Sequence, residues 1–317
     1  MRLTNLVSAS WITTLILGAP AWANMVITPT FDSSITNDPN AAAIEGTINS
    51  AIQIYQSDFA DPIIVKITFQ EMTSGLGQSN FSFFTIPYSE YLTALAADAK
   101  TNDDATALAH LPVGATNPVN GTTDINIKPA NLRAVGLSGS VASDGTIGLN
   151  THITDVGSPG TSGQYSLMAV TEHEIDEILG LGSALPSFSN PFPEDLFRYD
   201  SSGNRSFDTL TTTVPFFSID GTTDLAQFHQ RNGDGGDYGD WQTGAGPVRV
   251  QDWAATPGAT PSLGVELRAL DVMGFDRIAA IPEPGTGVLL AAALVVLVGL
   301  NYARVSRKAR LPRVLEG

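Results

Sequence analysis

The chain has 317 residues, 15% of them charged and 43% hydrophobic, a composition that excludes intrinsic disorder. Cysteine is absent, so disulfides and thiolate metal sites are ruled out, and His, Asp and Glu remain as strong ligands. The net charge is −16, with 10 basic against 30 acidic residues between positions 24 and 280, a surface that repels nucleic acid.

Residues 1–23 read as a secretory signal. Arg2 is the positive start, Trp11, Ile12, Leu15, Ile16 and Leu17 form a short apolar core, and Ala21-Trp22-Ala23 is an A-x-A site, so the mature chain is expected to begin at Asn24. The core is too short to span a bilayer comfortably.

A first strand is predicted over 25–31. Apolar residues Ala43, Ile44, Ile48, Ala51, Ile52 and Tyr55 then recur at three and four, the spacing of an amphipathic helix of about five turns beginning near Pro39. The β-branched run 63–70 is a second strand, which makes a strand–helix–strand unit. Residues 73–79 are a Gly/Ser loop, and 81–86 a short aromatic segment. Helices are expected at 88–99 and 103–110, a weak strand at 125–127, and an edge strand at 146–150.

The stretch Thr171-Glu172-His173-Glu174-Ile175-Asp176-Glu177-Ile178-Leu179-Gly180 carries the chemistry. Val170, Ile175, Ile178 and Leu179 keep helical spacing, and Gly180 and Gly182 offer a stop. On such a helix His173 and Glu177 lie four apart and project from one face. This is the geometry of H-E-x-x-H, in which two side chains one turn apart hold zinc and the intervening Glu is the base. Here Glu177 takes the place of the second His and also suits manganese or calcium. His173 and Glu177 are therefore candidate metal ligands, and Glu174 the candidate catalytic base. The bland alternative is an acidic solvated face bearing one His. Four carboxylates within six residues repel one another, which a bound cation would relieve.

Beyond Gly182, short strands are expected at 196–199 and 215–219, an acidic glycine loop at 232–241, and a helix at 263–273. A third ligand must come from this half. Asp195 is favoured slightly over His229, because the turn at Gly180 should return the chain to the helix, and Asp220 is a further candidate; His152, upstream of the motif, is a candidate to face a substrate carbonyl. Asp234, Asp237 and Asp240 alternate with Gly, a pattern that can wrap calcium but lacks the spacing of a known calcium loop, so a solvated turn is the preferred reading.

Near the C-terminus, Pro282-Glu283-Pro284 precedes an apolar stretch over about 286–303, close to the minimum for a transmembrane helix. Arg304, Arg307, Lys308, Arg310 and Arg313 follow, which places this end in the cytoplasm. The triplet, span and basic tail of 281–317 resemble the PEP-CTERM sorting signal of Gram-negative bacteria. That resemblance implies handling by an exosortase, cleavage near the triplet, and release to the cell surface or extracellular matrix.

Residues 24–280 resemble a family of exported bacterial metalloprotease-like proteins through FDSSI, PNAAAIEGTINSAI, HEIDEILG, DLFRY, FFSID, GDYGDW and ALDVMGFD. The resemblance implies a metzincin-like fold and a native Glu at 177. In metzincins the motif continues H-x-x-G-x-x-H; Gly180 matches, but Ser183 stands in the last position. Leu270-Asp271-Val272-Met273-Gly274 resembles the Met-containing turn of that fold.

The sequence reading is thus an α+β chain with an α/β-like N-terminal half, a small twisted sheet, an active-site helix, a loop-rich C-terminal half and a C-terminal transmembrane helix. The function expected is zinc-dependent hydrolysis of a peptide or protein substrate outside the inner membrane. Two rivals are a non-catalytic surface or matrix binding protein on the same scaffold and a calcium-stabilised adhesin.

Overall fold

The computed structural model describes residues 24–278, apart from 157–159, 162 and 231–232. The expected signal peptide, sorting signal and membrane span lie outside the described residues. Among the described residues no helix is long and apolar enough to cross a membrane.

The chain is mixed α/β, with small sheets and seven helices among the described residues. It runs β1 (Val26–Phe31), α1 (Ser33–Thr36), α2 (Ala41–Asp58), β2 (Ile64–Glu71), β3 (Gly77–Phe81), β4 (Phe84–Pro87), α3 (Tyr88–Asp98) and α4 (Asn102–His110). Then come β5 (Asp124–Ile127), α5 (Pro129–Ala134), β6 (Gly145–Leu149), β7 (Thr154–Asp155), β8 (Tyr165–Ser166) and α6 (Leu167–Leu179). A 3-10 turn (Pro193–Phe197) leads to β9 (Arg198–Tyr199), β10 (Phe216–Phe217), β11 (Ala226–Gln227) and α7 (Val265–Val272).

The main sheet has the order β1-β2-β6-β3. β1, β2 and β6 are parallel, Val26 opposite Ile64 and Ile67 opposite Gly145, while β3 closes the edge antiparallel, Gly77 opposite Leu149. Along β2 the buried Val65, Ile67 and Phe69 alternate with Ile64 and Lys66 on the other face, as a sheet covered on one side requires. α2 packs on β1 and on α6, and α6 packs on β3 and β6. Ile44, Ile48, Ile52 and Tyr55 form the inner stripe of α2. The fully buried Tyr55 hydroxyl donates to the Glu172 carbonyl at 2.8 Å and ties α2 to α6.

Three expectations are corrected here. The strand at 146–150 is not an edge strand; β6 lies between β2 and β3. Its cover is β3, whose residues 77–79 fall in the expected Gly/Ser loop: Gly77-Gln78-Ser79-Asn80 has little intrinsic strand preference and is held extended by its ladder to β6. α5 was not foreseen: Pro129 starts it, and it is only six residues long. The expected strand at 196–199 is mostly the 3-10 turn, with only Arg198–Tyr199 extended.

The lower part of the molecule is pinned by polar contacts. Arg268 of α7 grips both oxygens of Asp103 on α4, at 2.7 and 3.0 Å. Tyr91 and Asn131 both donate to the Met273 carbonyl, at 3.2 and 2.8 Å. Asp61, 1% exposed, accepts from the Asp276 amide at 2.9 Å and has no partner for its second oxygen. Burial, reinforced by the Asp276 carboxylate, pushes Asp61 up to about 7. A carboxyl raised in the folded state adds stability that is complete below its ordinary pKa and is lost as pH rises through 7. The chain should therefore melt lower at pH 8 than at pH 5. Asp61→Asn should remove about 2–3 kcal/mol of that difference, and the other buried carboxyls raised to about 7, Glu172, Asp240 and Asp271, supply the rest. An unchanged pH slope in thermal melts of the variant would show that Asp61 has no share in it.

Candidate metal centre

Helix α6 begins where the Ser166 hydroxyl accepts from the Ala169 amide at 3.2 Å and the Asp155 carboxylate accepts from the Leu167 amide at 3.2 Å. It ends at Gly180, whose φ of 173° is extended backbone; the left-handed residue is Gly182, with φ 127°. Its acids are not a solvated face: Glu172, Glu174 and Asp176 are buried, and the side chains of His173 and Glu177 are only 18% and 12% exposed.

The antiparallel edge strand is what arranges them. Alternate residues of β3 face the helix. Gly77 lies against Glu174, the Ser79 hydroxyl donates to Glu177 Oε2, and the Phe81 ring lies under the Lys128 ammonium, 3.7 Å from its centroid. A methyl group on Gly77 would stand 2.3 Å from Glu174 Oε1 and 2.8 Å from Val170 Cγ1, so only glycine leaves room for that carboxylate. Lys128, itself buried, donates to the Glu177 and Leu181 carbonyls and closes the C-terminal end of α6.

His173 Nδ1 lies 3.0 Å from the Val250 carbonyl, which can only accept, so that nitrogen carries a proton and Nε2 faces the cleft. Nε2 is 3.7 Å from Glu177 Oε1 and 3.7 Å from Asp240 Oδ1. His173, Glu177 and Asp240 each offer a ligand atom within 4.8 Å of the others, the one such group of three or more among the described residues. It lies in a cleft of about 610 Å³, whose walls include Gly77, Ser79, Glu174, Asp237 and Trp253.

Asp240 arrives on the loop that follows β11. His229 donates its backbone amide to the Asp240 carbonyl at 2.7 Å. The buried Arg198 donates to the Tyr238 carbonyl at 2.5 Å and stacks over Phe228 at 4.5 Å. Gly239 crosses the turn after α6 so closely that a methyl group there would stand 2.5 Å from Gly182 Cα and 2.7 Å from the Ser183 amide nitrogen.

The candidate third ligands from sequence lie elsewhere. Asp195 accepts from the Ser183 hydroxyl (2.5 Å) and the Ala184 and Phe192 amides (both 2.9 Å), so it shapes the turn rather than joining the group. His229 is fully buried, stacks on Trp253 at 4.6 Å, and turns Nε2 to Asp234 at 3.0 Å. His152 is exposed, and Asp220 caps its own turn through the Thr222 and Thr223 amides. The three acidic residues of the glycine loop, for which a solvated turn is the preferred reading, do not converge, and Asp240 is buried: Asp234 faces His229, while Asp240 faces His173. Met273 is buried against Gly180, at the end of α6. Asp240 joins the group without being a third-ligand candidate from sequence: it lies 63 positions beyond Glu177, and its only sequence mark is the acidic glycine loop.

The electrostatics follow from crowding. Burial opposes ionisation of Glu177, but the hydrogen bond and charge of His173, with Lys128 and Ser79, hold its carboxyl down at about 2. Burial pushes Asp240 up to about 7 against the pull of His173. Burial and the neighbouring Glu177 charge hold Glu174 well above the usual carboxylate range. Burial alone would lower His173; the Glu177, Asp240 and Glu174 carboxylates outweigh it and hold the imidazole well above its ordinary value. A divalent cation at this point would work against each proton.

Comparison of the chain with protein families, with curated proteins and with solved structures returned no match.

Gly239→Ala should push the loop away from the turn and carry Asp240 with it. The expected result is zinc affinity lower by about tenfold or more and a loss of about 1–3 kcal/mol in stability. Zinc titration and thermal melts check this; wild-type affinity would mean that the crossing does not place Asp240.

Proposed function

We propose that this chain is a metal-dependent peptidase with a metzincin-like arrangement, in which His173, Glu177 and Asp240 hold zinc and Glu174 is the base. The observation that carries the reading is the convergence of an imidazole and a carboxylate of α6 with a carboxylate from a remote loop, with a third carboxylate beside them in a cleft. The donor set fits zinc, which takes His, Asp and Glu, and its oxygen share also suits manganese. The Val250 carbonyl behind His173 is the kind of partner that orients metal-ligating histidines.

A metal ion there would polarise the scissile carbonyl and make a nearby water more acidic. Glu174 takes a proton from the attacking water and returns it to the amine nitrogen as the C–N bond breaks. Gly77 keeps that carboxylate in reach. Strand β3 offers its free edge along the cleft, so an extended peptide can add as a further strand. With the expected leader and sorting signal, the site would work at the cell surface or in the matrix.

Purified chain should bind about one zinc. Glu174→Gln should keep the metal and lose peptide hydrolysis by about a hundredfold or more. Retained turnover in that variant, measured on a quenched peptide library, would exclude Glu174 as the base. Metal binding without any hydrolysis by wild type would leave the non-catalytic binding scaffold. Gly77→Ala should copy the Glu174 defect with zinc affinity intact, because the added methyl displaces the base and touches no ligand.

A further inference from the structure

The segment after the Asp240 loop brings one more group into the site. Gln251 is fully buried, and its backbone is held on both sides: its amide donates to Glu266 Oε1 at 3.1 Å and its carbonyl accepts from the Trp241 amide at 2.8 Å. The preceding residue, Val250, orients the His173 imidazole. The terminal amide of Gln251 reaches between the candidate ligands, 3.2 Å from His173 Nε2 and 3.1 Å from Asp240 Oδ1. Its other terminal atom, Oε1, is buried with no hydrogen-bond partner.

A half-turn about the last bond exchanges the two ends of an amide without moving anything else. In that orientation a carbonyl oxygen stands beside His173 Nε2 and Asp240 Oδ1, and four lone-pair donors converge. Neighbouring ligand atoms on bonds of about 2.0–2.2 Å stand roughly 3–4 Å apart, the spacing found here. Convergent acceptors repel one another unless a cation lies between them. We propose that Gln251 is a fourth ligand of this centre and binds through its side-chain carbonyl oxygen. The inference rests on the metal site proposed above. It makes the donor set one nitrogen and three oxygens, with water entering as a fifth neighbour.

Zinc titration of the metal-stripped full chain tests it, with Gln251→Ala and Gln251→Glu beside wild type and His173→Ala as control. A ligating oxygen predicts that Gln251→Ala weakens zinc binding by about ten- to a hundredfold. Gln251→Glu, the same size with a stronger oxygen donor, should match or exceed wild type. If the amide acted only as a hydrogen-bond donor to Asp240, the glutamate would lose that donor and repel Asp240, and both variants would weaken; that result overturns the proposal. Unchanged affinity in Gln251→Ala also overturns it, while loss of binding in His173→Ala would leave the metal site standing. A wild-type chain that binds no zinc removes the site and this ligand together.

Discussion

One imidazole stands among several carboxylates in a partly buried cleft, and the rest of the structure is arranged around that imbalance. At low dielectric, like charges a few ångströms apart cost several kcal/mol, so the acids must hold protons or face a cation. Only Glu177 has enough support, from His173, Lys128 and Ser79, to stay ionised by itself. Asp240 and Glu174 are pushed up by burial. The charge state of the pocket therefore depends on what sits in it, and loading a divalent ion would release protons.

Tight crossings make such a pocket possible. Gly77 admits the Glu174 carboxylate beneath the edge strand. Gly145 lets α6 lie close on β6, since a methyl group there would stand 2.2 Å from Ile178 Cδ1 and 2.7 Å from the Asn80 carbonyl. Gly239 lets a late loop cross the turn at Gly182. At Gly239 the missing side chain sets the distance between two backbones; at Gly77 and Gly145 it makes room for side chains of α6. The buried cations Lys128 and Arg198 then fasten those backbones through carbonyl contacts.

Behind α6 lies a second polar layer. Burial, with Glu266 adding to it, pushes Glu172 up to about 7 and holds Asp176 well above its usual range. Glu266 accepts from Trp241 Nε1 at 3.0 Å and from the Gln251 and Gly264 amides at 3.1 and 3.0 Å. The helix thus has polar groups on both faces, and Gln251 links Glu266 at the rear to His173 and Asp240 at the front. Buried polar groups are costly unless paired, so the three donors that meet at Glu266 hold the segments around 241, 251 and 264 in one arrangement.

Local pattern was enough for the elements that carry their own periodicity. The α2 stripe, the β-branched run of β2 and the motif helix were legible, because helical or alternating spacing is written in neighbouring residues. His173, Glu174 and Glu177 were likewise legible, since four residues make one turn. Tertiary structure decided the rest. Strand β3 has a weak local signal and is extended only because β6 offers a partner, and that pairing moved β6 from the edge to the interior. Asp195, near in sequence, was drawn into a turn by nearby backbone amides. Asp240, remote in sequence, was carried to His173 by a glycine crossing and by contacts with Arg198 and His229. Separation along the chain says nothing about such contacts, because they are set by packing between elements rather than by any period within one.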